Sequence, residues 1–327
     1  MDLDALKPGL LTTRSAMHEL FGGGSQGGII TPKTSPNILI YTDHDSGKRY
    51  GYEDGWLEEE DELGPVFEYT GQGTRGDQTF LGQRGSRNAA VLYHADAGKS
   101  LRVFMAAGKV PRAGSAAKQQ RYVGEFELDT ALPYTVREAL DEKNEPRLII
   151  VFRLHPKGDF ERLTQDVITR AASTDAQRVS VQVVTTTLAE PKRQRAVESR
   201  RAAQPSLIAD LRQAAIREKY LAELMERGHD VGAFQVRVSG MTNTLKTDLY
   251  DATEHELYAV RGASTREEIR MAVGQLKDFA RHIMPKNLKL TALLPEKPHD
   301  DLVNFLHTEG IDLVYGDAQG YTRCAAR

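Results

Sequence analysis

The sequence predicts a two-domain protein, with an α+β domain built mainly of short strands followed by an α/β domain. Three observations lead there. The chain has 327 residues, more than one typical domain holds. Between residues 37 and 156, short Val/Ile/Phe/Tyr runs are broken by Gly, Asp, Asn and Pro, which is the pattern of strands and turns. From residue 206 onward, helical periodicity alternates with apolar strand-like runs, the pattern of helices laid on a mixed sheet.

Residues 1–27 form an N-terminal segment that is Gly-rich after a short helical start. Its "FGGGSQGGI" (21–29) reads as a loop, and no Gly-Lys-Ser/Thr follows to make it a phosphate-binding P-loop. Strands are expected at "NILIYTD", "VFEYTG", "LRVFMAAG", "QRYVGEFEL" and "RLIIVFRL", with a helix at "SRNAAVLYHADAG" (86–98). Many short strands with little helix predict a curved sheet or partly closed barrel, assigned to residues 28–190. "SVQVVTTTLAE" (180–190) reads as its last strand or as extended linker, and residues 191–205 as a basic linker. "SLIADLRQAAIREKYLAELMERG" (206–228) opens the second domain, 206–327. It is a helix with Ser206 as N-cap and Gly228 as its stop. Then come strands at "AFQVRVSG", "TDLYD" and "HELYAVRG", and a helix over 264–284 with Ser264 as N-cap and Glu267 at the capping-box position. A strand (288–295), a helix (299–310) and a strand (311–316) complete the α/β sandwich.

Composition bounds the chemistry. Apolar residues make up 40% of the chain and charged residues 27%, which suits globular cores. A lone cysteine, Cys324, excludes a disulfide framework and any multi-cysteine zinc site, and fits a reducing, cytoplasmic setting. No apolar run of about 18 residues and no signal peptide is visible, so neither a membrane span nor export is expected. The net charge is −3, so a nucleic-acid binder must segregate its charge. "EEEDE" (58–62) and "KRQRAVESRR" (192–201) show such segregation, although each reads equally well as a solvated face or linker.

Tyrosines cluster beside an acid and a Gly-rich loop in "RYGYEDGW" (49–56) and "FEYTGQGTRGD" (67–77). "GQGTRG" matches a dinucleotide-binding spacing, but the following "DQTFLGQRGSR" does not supply the helix that such a motif requires. Together with "RNAAVLYH", "GKSLRVF", "RYVGEFEL" and "IIVFRL", these segments resemble the SRA (SET- and RING-associated) domain over about residues 28–156. That PUA-like fold flips modified cytosines out of DNA, and the likeness is to its branch in type IV restriction proteins. The resemblance implies that Tyr52 and Tyr69 stack on the two faces of the base and that Asp54 accepts from the cytosine amino group. Thr70 and Gly71 would touch the base edge, and Arg75, Arg84 and Arg87 would hold phosphates. Unstacking a base costs a few kcal/mol, and an aromatic platform returns about 1–3 kcal/mol per stacked base. A carboxylate at that position selects cytosine over thymine, which has no donor there. Burying one methyl adds only about 0.8 kcal/mol, or roughly fourfold in affinity. Taken singly, the same residues read as core tyrosines and a turn aspartate. His44, His94 and His155 are scattered and read as structural or surface residues.

"LKTDLYDATEHELYAVRGASTREEIRMAVGQLKDF" resembles the PD-(D/E)XK nuclease fold that accompanies SRA domains. The resemblance places a metal-binding Asp at Asp248, Glu-x-Lys at Ala259 and Arg261, and a helix Gln at Gln275. An alanine methyl cannot ligate Mg²⁺, and arginine keeps its proton. Glu256 lies three residues before Ala259, on the opposite face of a regular strand. Asp251 and Glu218 are further acids near the site. The expected protein therefore reads modified cytosine in double-stranded DNA, needs no cofactor and cuts little or not at all. The alternatives are an active endonuclease using Asp248 and Glu256 with Mg²⁺, an RNA-binding PUA-like protein, or a second domain that is only structural or supports a homodimer.

Overall fold

The strand-like runs of the first half pair into one mixed sheet. A computed structural model describes residues 6–24, 26–110, 118–129, 132–180, 205–284 and 287–326. The chain divides into two units, the first running to Arg170 with 241–243, the second from Ala171.

The first unit holds β1 (Leu11–Thr12), β2 (Ile29–Ile30), β3 (Asn37–Thr42), β4 (Gly55–Asp61), β5 (Gly64–Thr70), β6 (Ser100–Lys109), β7 (Lys118–Leu128), β8 (Tyr134–Leu140) and β9 (Pro146–Phe160). Its helices are α1 (Arg14–Phe21), α2 (His44–Lys48) and α3 (Gly82–Leu92). The strand order is β2-β3-β6-β7-β9-β5-β4, with β1 on β7 and β8 on β9. Only β3 and β6 run parallel, and the other pairs are antiparallel. The expected barrel is not closed: among the described residues the path ends openly at β2 and β4. Register shifts in β4–β5, β6–β7 and β7–β9 interrupt the ladders, and such irregularities bend the strands. Trp56, wholly buried, anchors the core with Phe67 edge-on at 5.3 Å and Phe126 at 5.7 Å.

The second unit holds β10 (Asp175–Ser180), α4 (Pro205–Glu226), β11 (Val231–Arg237), β12 (Thr244–Lys246), β13 (Leu249–Asp251) and β14 (Glu256–Val260). They are followed by α5 (Arg266–Ala280), β15 (Lys289–Leu294), α6 (Asp300–Thr308), β16 (Asp312–Asp317) and β17 (Gly320–Cys324). The order is β10-β11-β13-β14-β15-β16-β17, with β12 on β11, and β14, β15 and β16 run parallel. Alternation along β14 divides its residues between two cores. Leu257 and Ala259 pack with Ile269, Leu276 and Leu306 of α5 and α6, while Tyr258 and Val260 pack with Tyr220 and Leu224 of α4. The sheet is thus the middle layer of a sandwich.

Local signals differ from expectation in two places. β10 pairs with β11 in full register, so residues 175–180 belong to the second sheet rather than to a first domain reaching 190. The segment 181–190, the basic block 192–201 and all but the last residue of the expected 191–205 linker lie outside the described residues. The cap of α5 is Thr265, not Ser264: its hydroxyl accepts from Glu268 N, while Ser264 Oγ donates to Glu296 O at 2.7 Å.

Candidate nucleic-acid interface

The β4–β5 hairpin sets the geometry. Gly55 pairs with Glu68, so Asp54, just before β4, faces the end of β5. Asp54 Oδ1 accepts from Thr70 N at 2.7 Å and Oδ2 from the Thr42 hydroxyl at 2.5 Å. Burial raises the Asp54 pKa against the opposing pull of Thr42, Thr70 and His44. Tyr69 pairs with Phe152 of β9 and is buried, and its pKa too is raised by burial, with Asp54 and Tyr52 adding to the effect. Tyr52 is half-buried, and its hydroxyl donates to Gly73 O and accepts from Gln78 Nε2. The Arg147 guanidinium lies 5.4 Å from the Tyr52 ring centre. Gly71 leaves no room for a side chain, since a Cβ there would stand 2.9 Å from Gln78 Oε1 and 3.0 Å from Asn88 Oδ1. The structure therefore gathers Tyr52, Asp54, Tyr69, Thr70 and Gly71 into one neighbourhood, with Tyr52 the most exposed of the five.

The loop beyond Gly71 encloses a cavity of about 540 Å³ lined by Gln72, Gln78, Arg75, Arg84 and Arg87 among others. Arg75 is exposed and bonded to Glu142 at 2.7 Å. Arg84 donates to Arg75 O at 2.8 Å, and Arg87 to Gln72 Oε1 at 3.2 Å. Among the described residues neither Arg84 nor Arg87 has an ion-pair partner, so both retain charge for an anion. After "GQGTRG" the next helix begins only at Gly82, too late for a dinucleotide site. The "EEEDE" block is spent internally, with Glu58 on Arg170, Glu60 on Arg162 and Asp61 on Arg153.

Four residues around this site were not foreseen from the sequence: Thr42, Gln78, Arg147 and Arg14, whose charge acts on Tyr69. Gln78 fastens the loop by donating to Gly71 O (2.6 Å) and Gly73 O and accepting from Ile150 N. Of the scattered histidines, His94 is buried on Val91 O, His155 is buried beside Asp129, and His44 is half-buried near Asp54.

Over residues 9–173 the chain matches the family described as "ScoMcrA-like, SRA domain", 165 of 327 positions. The chain belongs to that SRA family. No curated protein matches it. Among solved structures, the sulfur binding and SRA domains of ScoMcrA complexed with phosphorothioated DNA are 24% identical. That match covers 49% of this chain and 43% of the other, with a TM-score of 0.34. The DNA recognition domain of the cytosine modification-dependent restriction endonuclease LpnPI is 16% identical, covering 43% and 66%, with a TM-score of 0.31. The SUVH5 SRA complex with hemi-methylated CG DNA is 16% identical, covering 50% and 96%, with a TM-score of 0.30. This chain thus spans less than half of the ScoMcrA chain it matches.

Beyond the SRA match, Asp248 and Arg261 meet across the β13–β14 hairpin. Asp248 Oδ2 accepts from Val260 N at 2.8 Å and lies 4.0 Å from Arg261 Nη1. Arg261 also donates to Gln275 and lies 3.7 Å from Glu268. Burial raises the Asp248 pKa against Val260 N–H, Arg261, Arg217 and Gln275. Burial and the charge of Arg217 bring Lys246 down to about 8, against the pull of Asp248. Glu256 does not join Asp248. It sits at the other end of β14, paired in register with Asp251, and its carboxylate accepts from Thr291, Tyr258 and Arg323. The regular strand turns it to the α4 face, away from Ala259, as the three-residue spacing leads one to expect, and no bulge brings it round to Asp248. Asp251 accepts from His229 at 2.6 Å, and Glu218 is exposed on α4. No described helix is long and apolar enough to cross a membrane.

Proposed function

We propose that the SRA unit binds double-stranded DNA carrying 5-methylcytosine or a related modified cytosine and holds that base outside the helix. The observation that carries this reading is the buried carboxylate of Asp54, oriented by Thr42 and Thr70 beside Tyr52 and Tyr69 and next to an arginine-lined cavity. A carboxylate held in place by two donors keeps lone pairs free for an amino group, the donor that separates cytosine from thymine. Tyr52 acts as the movable wall: an entering base displaces its hydroxyl from Gly73 and stacks between its ring and Tyr69. Arg84 and Arg87 take flanking phosphates, which position the duplex without reading it.

The second unit contributes binding or scaffolding rather than cleavage. With alanine at 259 and Glu256 on the other face, Asp248 is left without a second carboxylate where a hard cation would need one, and Arg261 supplies its countercharge.

The test is a binding panel of unmodified, 5-methyl and 5-hydroxymethyl duplexes over a salt series, repeated with Asp54→Asn and Tyr52→Ala. Preference for a modified duplex that both variants lose supports the reading, and equal binding to all three duplexes refutes it. Methylated plasmid incubated with Mg²⁺ or Mn²⁺ should stay intact, and cutting abolished by Asp248→Ala would reinstate the endonuclease.

A further inference from the structure

The Gly-rich segment "FGGGSQGGI" has no part in the site as described so far, yet its end lies against it. Tyr41 N donates to Gly28 O at 2.7 Å, which ties the segment to the end of β3. A Cβ on Gly28 would stand 2.6 Å from the Tyr69 hydroxyl, and one on Gly27 2.5 Å from Arg87 Nη1. Gly27 itself has φ +101°, a conformation that glycine adopts without strain. Arg14, the first residue of α1, donates from Nη1 to Gly27 O at 2.7 Å and lies 4.2 Å above the Tyr41 ring. Two guanidinium groups therefore reach the exposed Gly27 peptide, beside a tyrosine hydroxyl and with no side chain between them.

We infer that Gly27–Gly28 is a third wall of the nucleotide site, and that Arg14 and Arg87 grip the phosphodiester flanking the extruded nucleotide. The inference rests on the base-flipping reading and assigns it an anion subsite. Arg87 already lines the loop cavity, so Arg14 extends the row of arginines across the glycine peptide to the Tyr69 side. Side-chain-free backbone is what lets a phosphate approach this closely, and guanidinium forks suit its paired oxygens. Burial lowers the Arg14 pKa although Tyr41, Tyr69 and Asp43 raise it.

The experiment compares the salt dependence of binding to modified and unmodified duplexes for the intact chain and for Arg14→Gln, Arg14→Lys and Gly28→Ala, each checked by thermal melting. On the modified duplex, Arg14→Gln should weaken binding roughly tenfold and reduce the log–log salt slope by about 0.9, the signature of one lost phosphate contact. Arg14→Lys should keep the slope. Gly28→Ala should lower the preference for the modified duplex by crowding Tyr69. On the unmodified duplex, where nothing is extruded, the Arg14→Gln slope should match the parent's. An unchanged slope on the modified duplex, or an equal drop on both, overturns the subsite while leaving base flipping standing. A parent chain without preference for modified DNA overturns both.

Discussion

Asp54 Oδ1 lies 2.7 Å from the backbone nitrogen of Thr70, which joins the start of one hairpin strand to the end of the other through a buried carboxylate. Asp54→Asn keeps an acceptor for Thr70 N and relieves the burial of charge, so the fold should persist. Affinity for the modified duplex should fall by roughly tenfold or more, the worth of one good base-edge contact. Because burial raises the Asp54 pKa, affinity should decline on acidification at a higher pH than an ordinary aspartate would dictate. Stability runs the other way. The folded chain holds this proton more tightly than the unfolded one, so the contribution is full below the ordinary value of 3.8 and is lost as pH climbs through the raised value. Anisotropy titrations and melts across the acid range check both slopes.

His155 lies among carboxylates. Its Nδ1 donates to Pro65 O at 3.2 Å, and its Nε2 is 3.5 Å from both Asp129 and Asp61, which Arg153 also binds. Burial lowers its pKa, but Asp129 and Asp61 outweigh that and raise it above 6.5. The stabilisation is therefore complete below 6.5 and is lost as pH rises through the folded value. The melting-temperature gap between the parent and His155→Gln should be wide at about pH 5.5 and narrow at about pH 9. A gap that widens with pH would show the sign to be wrong.

Arg261 compensates Asp248 in the second unit. Arg261→Ala should cost about 2 kcal/mol, because the carboxylate keeps the Val260 amide but loses its countercharge. Hydrogen exchange of the β13–β14 amides reports the loss locally. Mg²⁺ should not raise the melting temperature of the parent chain. The pair Ala259→Glu with Arg261→Lys should make melting Mg²⁺-dependent, because it adds the second carboxylate.

Helix α5 offers a test at single-residue resolution. Thr265→Ala should destabilise the second unit by about 1 kcal/mol through loss of its N-cap. Ser264→Ala should leave the helix start intact, since its hydroxyl serves Glu296 instead. The reverse ranking in chemical denaturation would move the cap back to Ser264.

What the sequence disclosed follows from how local each feature is. Helices α4, α5 and α6 were legible because periodicity reports a buried face directly. The cap of α5 was ambiguous because Ser264 and Thr265 each have a glutamate three residues on. Asp54 and Tyr69 were placed together only by the family resemblance, because the acidic run between them hides the strand that pairs them in one hairpin. Thr42, Gln78, Arg147 and Arg14 reach the site through non-local pairing, which leaves no spacing to read. Barrel closure and the allegiance of residues 175–180 also depend on which strand pairs with which, a choice the alternation of side chains does not make.

The strand order of the first sheet sets a timetable for synthesis. β4 and β5 join the rest of the sheet through β9, so the hairpin carrying Asp54 and Tyr69 has no berth until residue 154 has been made. The chain runs 83 positions on from Tyr69 before it reaches Phe152, the partner that fixes its place, and such late pairing slows folding. A chain released before β9 would carry every proposed base-contacting residue and hold none of them in position.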